Sequence, residues 1–292
     1  MCIRPRKNNI KFDYMSNIFS KLFLKSVKLI KNPKKLFKIL TNPSKILQDF
    51  KDIKNEKVLN MGERTIIYDW EKSKKRKESF RNWGHLGIIF RYEWAASFVS
   101  GLRVLDIGCA VGYGPYYFAK NGAKEAVGID NSEEAINWAK EHYKSPNLKF
   151  LIGDCLNLPF KDNSFEAIVS FDLLEHITEE EQIRFISEIK RVLMSGGMAI
   201  IGTPNSEADE TSLLDIDNVF HKRELNKGEF IDLMKKYFDQ AQLKGEDMIV
   251  NGQRLKDKWI EYLKNNEVTI DNIKMVDTEI EKTRGLIAIC KK

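Results

Sequence analysis

Residues 104–114, VLDIGCAVGYG, constrain the fold more than any other stretch of the chain: an apolar strand ends in an acid and turns through glycines into a helix. Gly108 and Gly112 let backbone approach a ligand closely, and Pro115 suits the first turn of the helix that follows, whose unpaired N–H groups favour a negative group. A dinucleotide-binding fold uses a similar loop, but Asp106 at the strand end would repel a pyrophosphate packed against it. The loop therefore suits a small ligand with a cationic part beside the acid and a single anionic group at the helix start.

The downstream pattern repeats this unit. Residues 124–130 (KEAVGID) read as a second buried strand ending in Asp130, 18 residues after Gly112, where an acid can take both hydroxyls of a ribose. Residues 149–154 (KFLIGD) read as a third strand with Asp154 and Cys155 at its end, 165–171 (FEAIVSF) as a fourth, and 198–203 (MAIIGT) as a fifth after the turn Ser195-Gly196-Gly197. Helical spacing separates them at 115–121, 132–142 with Ser132 as the cap, and 179–193. Strand and helix alternate, which predicts an α/β fold with a doubly wound, mostly parallel sheet and ligands at the carboxyl ends of its strands.

Residues 100–205 resemble the class I S-adenosylmethionine (SAM) dependent methyltransferases of the type 11/12 kind. VLDIGCAVGYG, AVGID, IGDCLNLPFKDNSFEAIVSFDLLEHI and RVLMSGGMAIIGTPN follow that family's order and spacing. SAM has a sulfonium, an ammonium and one carboxylate, which matches the ligand the loop asks for. The resemblance implies a seven-stranded Rossmann-like sheet. It also implies that Asp106, Gly108 and Gly112 meet the methionine end of SAM, Asp130 the ribose, Asp154 and Cys155 the adenine, and Phe171 the wall beside the sulfonium, with Cys109, Ala110 and Asn131 also among the cofactor-binding residues. The family usually has glycine where this chain has Ala110; the methyl group is tolerable there if the backbone angle is ordinary.

The 292 residues, 42% of them hydrophobic, leave room for one catalytic domain plus extensions. Cys2, Cys109, Cys155 and Cys290 are scattered with no paired spacing, so neither a disulfide framework nor a zinc site is expected, and a reducing cytoplasm fits. No run of 18 apolar residues occurs, and no secretory h-region with a cleavage site is recognisable. Residues 1–60 hold 15 Lys/Arg against 4 Asp/Glu, leaving 33 against 38 for the remainder, so the basic excess belongs to an N-terminal arm. Within it Phe19, Leu22, Phe23 and Leu24 interleave with Lys21, Lys25 and Lys28, and two Asn-Pro units, at Asn32 and Asn42, punctuate short amphipathic helices. Such an arm suits peripheral contact with an anionic membrane face; packing on a partner or on the domain's acidic flank satisfies the same pattern. Nucleic acid fits less well, because stacking aromatics are few and the catalytic part is acidic.

Residues 61–100 form a second expected unit, a helical segment that covers the cofactor, ahead of the methyltransferase domain at 101–292. Gly62-Glu63-Arg64, Trp83-Gly84-His85 and Phe90-Arg91-Tyr92-Glu93-Trp94 are similar to segments of methyltransferases associated with cell-surface polysaccharide synthesis. That looser resemblance implies that Arg64, His85, Arg91 and Tyr92 close over the cofactor or acceptor, with Arg91 or Tyr92 reaching the SAM carboxylate. Trp94 reads instead as a packing aromatic.

Methyl transfer needs an aligned acceptor and, for a hydroxyl, a base. Of the four histidines, His142 lies on an outer helix face, His85 precedes the core, and His176 (in DLLEH) and His221 (in NVFHKRE) lie where an acceptor would sit, making them the candidate bases. LEH is widespread in the superfamily, so a structural role for His176 stays open. Asp172, Glu175, His176 and His221 also resemble in type and order the metal cluster of small-RNA 2′-O-methyltransferases, with Asp in place of the first Glu. The main reading assigns no metal. Insertions are expected at 206–220 and 247–283, with a helix at 255–263, serving acceptor choice or oligomer contacts. The sequence thus points to O-methylation of a sugar, glycan precursor or small metabolite. The alternatives are a non-catalytic SAM-binding partner in glycan assembly and a metal-dependent RNA methyltransferase.

Overall fold

A computed structural model describes residues 84–208, 220–255 and 268–292. The basic arm at 1–60, the segment 61–83 with Arg64, the side chain of His85, the middle of the insertion expected at 206–220 and all but the first residue of the helix expected at 255–263 lie outside the described residues.

Chain order runs α1 (Gly84–Val99), β1 (Arg103–Ile107), α2 (Tyr113–Lys120), β2 (Glu125–Asp130), α3 (Glu133–His142), β3 (Leu148–Ile152) and β4 (Phe165–Phe171). A 3-10 turn at Leu174–His176 follows, then α4 (Glu179–Val192), β5 (Leu193–Pro204), α5 (Lys227–Tyr237) and β6 (Gln240–Val250), the short strands β7 (Gln253–Arg254) and β8 (Ile273–Val276), and β9 (Gly285–Lys291). The sheet order is β3-β2-β1-β4-β5-β9-β6-β7, with β8 also on β6. The first five strands of that order pair in parallel, and β9 lies antiparallel between β5 and β6. The architecture is the expected doubly wound α/β sheet.

Successive side chains of a strand point to opposite faces, and here both faces are covered. Val104 packs with Ile89, Val99, Phe118 and Ile136 of α1, α2 and α3, whereas its neighbour Leu105 packs with Phe185, Ile189 and Phe230 of α4 and α5. Along β4, Ala167 and Val169 join the first layer, and Phe165 and Ile168 the second. This explains why the strands read as nearly unbroken apolar runs. Each fully buried aliphatic side chain contributes roughly 1.5–3 kcal/mol.

Helix starts follow local chemistry. The Ser132 side chain accepts from the Ala135 N–H, as expected. Thr178 with Glu181 and Asn226 with Glu229 form reciprocal capping boxes that open α4 and α5. The extent of the sheet departs from the seven strands expected. β6 runs on to Val250, past the point near Gly245 where the sequence pattern ended it, and its extension recruits β7 and β8 as antiparallel partners. Part of the expected 247–283 insertion is therefore sheet, and Met248, Val268 and Ile273 from it pack on Leu86 of α1.

Candidate functional site

The loop after β1 is pinned to the end of β2. Gly108 and Cys109 donate their N–H groups to the Ile129 carbonyl at 2.8 and 3.1 Å. Asp130 accepts from the Ala110 N–H on one oxygen and from the Ser132 N–H on the other, each at 2.9 Å. Gly108 (φ 76) and Gly112 (φ 86) both occupy the left-handed region, and a Cβ at Gly108 would meet Leu173 at 2.3 Å. Ala110 is left-handed as well, at φ 48. The condition that would make its methyl group easily tolerable, an ordinary backbone angle, is therefore not met: the loop imposes a glycine-type conformation on an alanine. Cys109 turns its thiol into the core, where a Cβ on Gly128 would meet it, and the thiol donates to the Ala110 carbonyl at 3.9 Å.

Asp106 lies in β1 with 1% exposure. The Tyr92 hydroxyl donates to its Oδ2 at 3.0 Å, while Oδ1 is buried with no hydrogen-bond partner. Burial pushes its carboxyl up to about 8; the Tyr92 hydrogen bond opposes the shift and the charge of Asp130 adds to it. Gly114 makes the pair sterically possible, because a Cβ there would meet the Tyr92 ring at 2.1 Å. Tyr92 also stands edge-on to Phe171, ring centroids 5.2 Å apart. A buried carboxylate oxygen without a donor is costly, and a cation placed against it relieves that cost. The residues therefore fit a ligand with an ammonium group.

Arg91 is buried and tied to two acids: Asp172, and Glu246 at 3.2 Å. Its guanidinium lies 5.8 Å from the Phe171 ring centroid, and its Nε is a second buried polar atom without a partner. Glu246, fully buried in β6, also pairs with Arg284. The expectation that Arg91 or Tyr92 reaches a cofactor carboxylate meets a different arrangement here, in which both polar heads are engaged by the protein's own acids. Glu246 and Arg284 escaped the sequence reading because nothing local marks them; Glu246 is 155 residues from Arg91.

On the adenine side, β3 ends at Ile152 and Asp154 is exposed, its Oδ1 accepting from the Leu156 N–H at 2.8 Å. Burial pushes the Cys155 thiol up to about 12, so it can line a pocket but is no nucleophile at neutral pH. Asn131 is exposed at the end of β2, and Phe171 is buried at the end of β4.

Just beyond Phe171, Asp172 holds a left-handed backbone at φ 52 and the chain enters the Leu174–His176 turn. The segment around His221 is laced to this turn: Lys222 and Arg223 donate backbone N–H groups to the Glu175 carbonyl, and Gln182 bridges the carbonyls of Leu174 and Arg223. His176 and His221, 45 positions apart, thereby face each other with ring centroids 5.0 Å apart. Glu175 is buried beside them and accepts from the Thr203 hydroxyl at 3.0 Å. Desolvation holds its carboxyl above the usual range, and the charge of Asp172 adds to the shift. Of the four residues in the metal-like pattern, Glu175, His176 and His221 come together, while Asp172 pairs with Arg91. His142 is exposed and stacks on Trp138, and Trp94 packs against Phe98, as expected of a surface histidine and a packing aromatic.

Comparison with known proteins adds the following. Residues 105–201 match the methyltransferase type 11 family, described as "Methyltransferase domain". A protein of Mycolicibacterium smegmatis described as a "Probable S-adenosylmethionine-dependent methyltransferase" is 34% identical over 148 residues, 49% of this chain and 54% of the relative. A fatty-acid O-methyltransferase of the same organism is 33% identical over 100 residues, 34% of this chain and 36% of the relative. The chain thus spans about half the length or less of these curated relatives. A solved structure from Thermotoga maritima, a SAM-dependent methyltransferase described as a "possible histamine N-methyltransferase", shares the fold at 20% identity, with a TM-score of 0.51 over 73% of this chain and 95% of that one.

Proposed function

From a chain that carries a class I SAM-dependent methyltransferase domain, broadly of the type 11 kind, we propose transfer of the SAM methyl group to a hydroxyl oxygen of a sugar, glycan precursor or other small metabolite. The histidine pair at the end of β4 carries this reading. His176 Nδ1 faces the Phe220 carbonyl at 3.1 Å and His221 Nδ1 faces the Glu224 carboxylate. Both partners accept only, so each Nδ1 is the donor in these contacts. A hydroxyl acceptor needs its proton removed, and an imidazole one short turn beyond Phe171 suits that task near neutral pH. The O-directed relative is consistent with it.

Bound SAM supplies a methyl group on a sulfonium, with a neutral thioether as leaving group. Asp106 pairs with the ammonium. Asp130, which accepts a backbone N–H on each oxygen, takes the ribose hydroxyls with Asn131 beside it, while Asp154 and Cys155 border the adenine. Phe171 presents an aromatic wall to the sulfonium. His176 or His221 takes the hydroxyl proton as the oxygen–carbon bond forms. Incubation with SAM and a panel of sugar nucleotides, lipid-linked glycans, amines and an RNA oligonucleotide, read by S-adenosylhomocysteine (SAH) formation, tests the reading. Turnover with a hydroxylated glycan or metabolite supports it; turnover confined to amines or RNA, or binding without turnover across the panel, refutes it.

The same reading places the chain in the cytoplasm, with residues 1–60 against an anionic membrane face. What supports this is the arm's 15 Lys/Arg against 4 Asp/Glu, interleaved with Phe and Leu. Among the described residues no helix is long and apolar enough to cross a membrane.

A further inference from the structure

We infer that the cleft between the end of α3 and the start of β3 is a second small-molecule site, which takes an organic anion with one phosphate or carboxylate group on a compact apolar body. Its volume is about 550 Å³, within the range of roughly 300–1,000 Å³ usual for ligand pockets. Lys140, Lys144 and Pro146 are exposed at its mouth, half-buried Leu148 forms one side, and the buried rings of Tyr143 and Phe150 form the floor.

The lining selects the ligand. It holds two ammonium groups and, among the described residues, no carboxylate, so the cleft favours negative charge. Lys140 lies in the last turn of α3, where a cation also offsets the helix dipole, and the Lys144 ammonium donates to the Lys140 carbonyl. An ammonium has three donors, so that contact leaves Lys144 two for an anion. A bare phosphate leaves the Tyr143, Leu148 and Phe150 surface uncovered, whereas an amphipathic anion covers it and reaches the lysines.

The cleft is built before any ligand arrives. The Ser145 hydroxyl donates to Asn147 Oδ1 at 2.7 Å, and the Asn147 amide donates to the Ala119 and Ala123 carbonyls at 3.1 and 2.8 Å, which ties this loop to the end of α2. The Leu148 N–H donates to the Ser145 carbonyl at 3.2 Å. Tyr143 is stacked on Tyr116 of α2, ring centroids 4.6 Å apart, which fixes the floor. Such order lowers the entropy lost on binding.

The cleft is separate from the cofactor site. Leu148 pairs with Ala126 near the start of β2, whereas Asp130 and the loop after β1 lie at the carboxyl ends of their strands. β4, which ends in Phe171, is three strand spacings away, about 14 Å. An occupant here is therefore not the methyl acceptor, and the inference is independent of the proposed function.

The probe is 1-naphthyl phosphate, titrated into the full chain by calorimetry with and without saturating SAH. One equivalent should bind, with Kd about 0.1–1 mM for a ligand of this size, and should still bind in the presence of SAH. Inorganic phosphate and 1-naphthol, each half of the probe, should bind about tenfold more weakly or worse. The double variant Lys140→Gln/Lys144→Gln should weaken the probe about tenfold, with an unchanged melting temperature because both side chains are exposed. Lys149→Gln, whose side chain lies on the other face of β3 from Leu148 and Phe150, should leave it unchanged. No saturable binding below about 10 mM, displacement by SAH, indifference to the double variant, or phosphate binding as tightly as the probe each overturns the site.

Discussion

Asp106 gives the sharpest test of how the cofactor's amino end is recognised. In the ligand-free protein burial holds its carboxyl at about 8, so near pH 7 the group is only about one-tenth ionised. An ammonium pairs with the carboxylate and not with the acid, so binding must first remove the proton. That costs about 1.4 kcal/mol at pH 7 and about twice that at pH 6. The affinity for SAH, which carries the same ammonium, should therefore rise about tenfold per pH unit from 6 to 7.5, a range in which the ligand's amine stays charged. Binding at pH 7 should release about 0.9 proton, measurable by titration calorimetry in buffers of different ionisation enthalpy. Asp106→Asn should abolish both the release and the slope and weaken binding about tenfold to a hundredfold, the loss of a charge-assisted hydrogen bond. The same shift acts on folding. The folded pKa is raised from 3.8, so between about pH 4 and 8 the folded state binds more protons than the unfolded chain, and this group's contribution to stability falls as pH rises. Asp106→Asn should flatten that decline in urea titrations at pH 5 and 8. Proton release near zero in the unsubstituted protein, or an unchanged slope in Asp106→Asn, would refute the reasoning.

Ala110→Gly should stabilise the protein by about 0.5–1 kcal/mol, because the relief of a left-handed alanine exceeds the entropy and burial that glycine forfeits; a lower melting temperature would contradict this. Glu246→Gln should cost about 3 kcal/mol, since it removes the buried charge shared by Arg91 and Arg284; a melting temperature within a degree of the parent would show that the network carries little. The full chain should co-sediment with phosphatidylglycerol vesicles and not with phosphatidylcholine vesicles, and should release at high salt; equal binding to both would remove the electrostatic account of residues 1–60.

Local patterns carried most of the fold. β4 spans Phe165–Phe171 as its apolar run predicted, and Ser132 caps α3 as its side-chain chemistry required. Register and pairing were less accessible. β5 begins at Leu193 and passes through the expected Ser195-Gly196-Gly197 turn, and β6 gains β8 as a partner from 25 or more positions downstream. The backbone angle at Ala110 was equally hidden, since it follows from where Ile129 and Asp130 pull the loop.

The sequence alone determined that VLDIGCAVGYG turns from strand to helix and that acids close three successive strand units, because these follow from periodicity, glycine and charge over a few residues. The tertiary structure decided what each site group faces. Arg91 turned to Asp172 and Glu246, Tyr92 to Asp106, and His176 met His221 beside Glu175. The separations reach from 14 positions for Tyr92 and Asp106 to 155 for Arg91 and Glu246, and only the packed sheet brings such groups together.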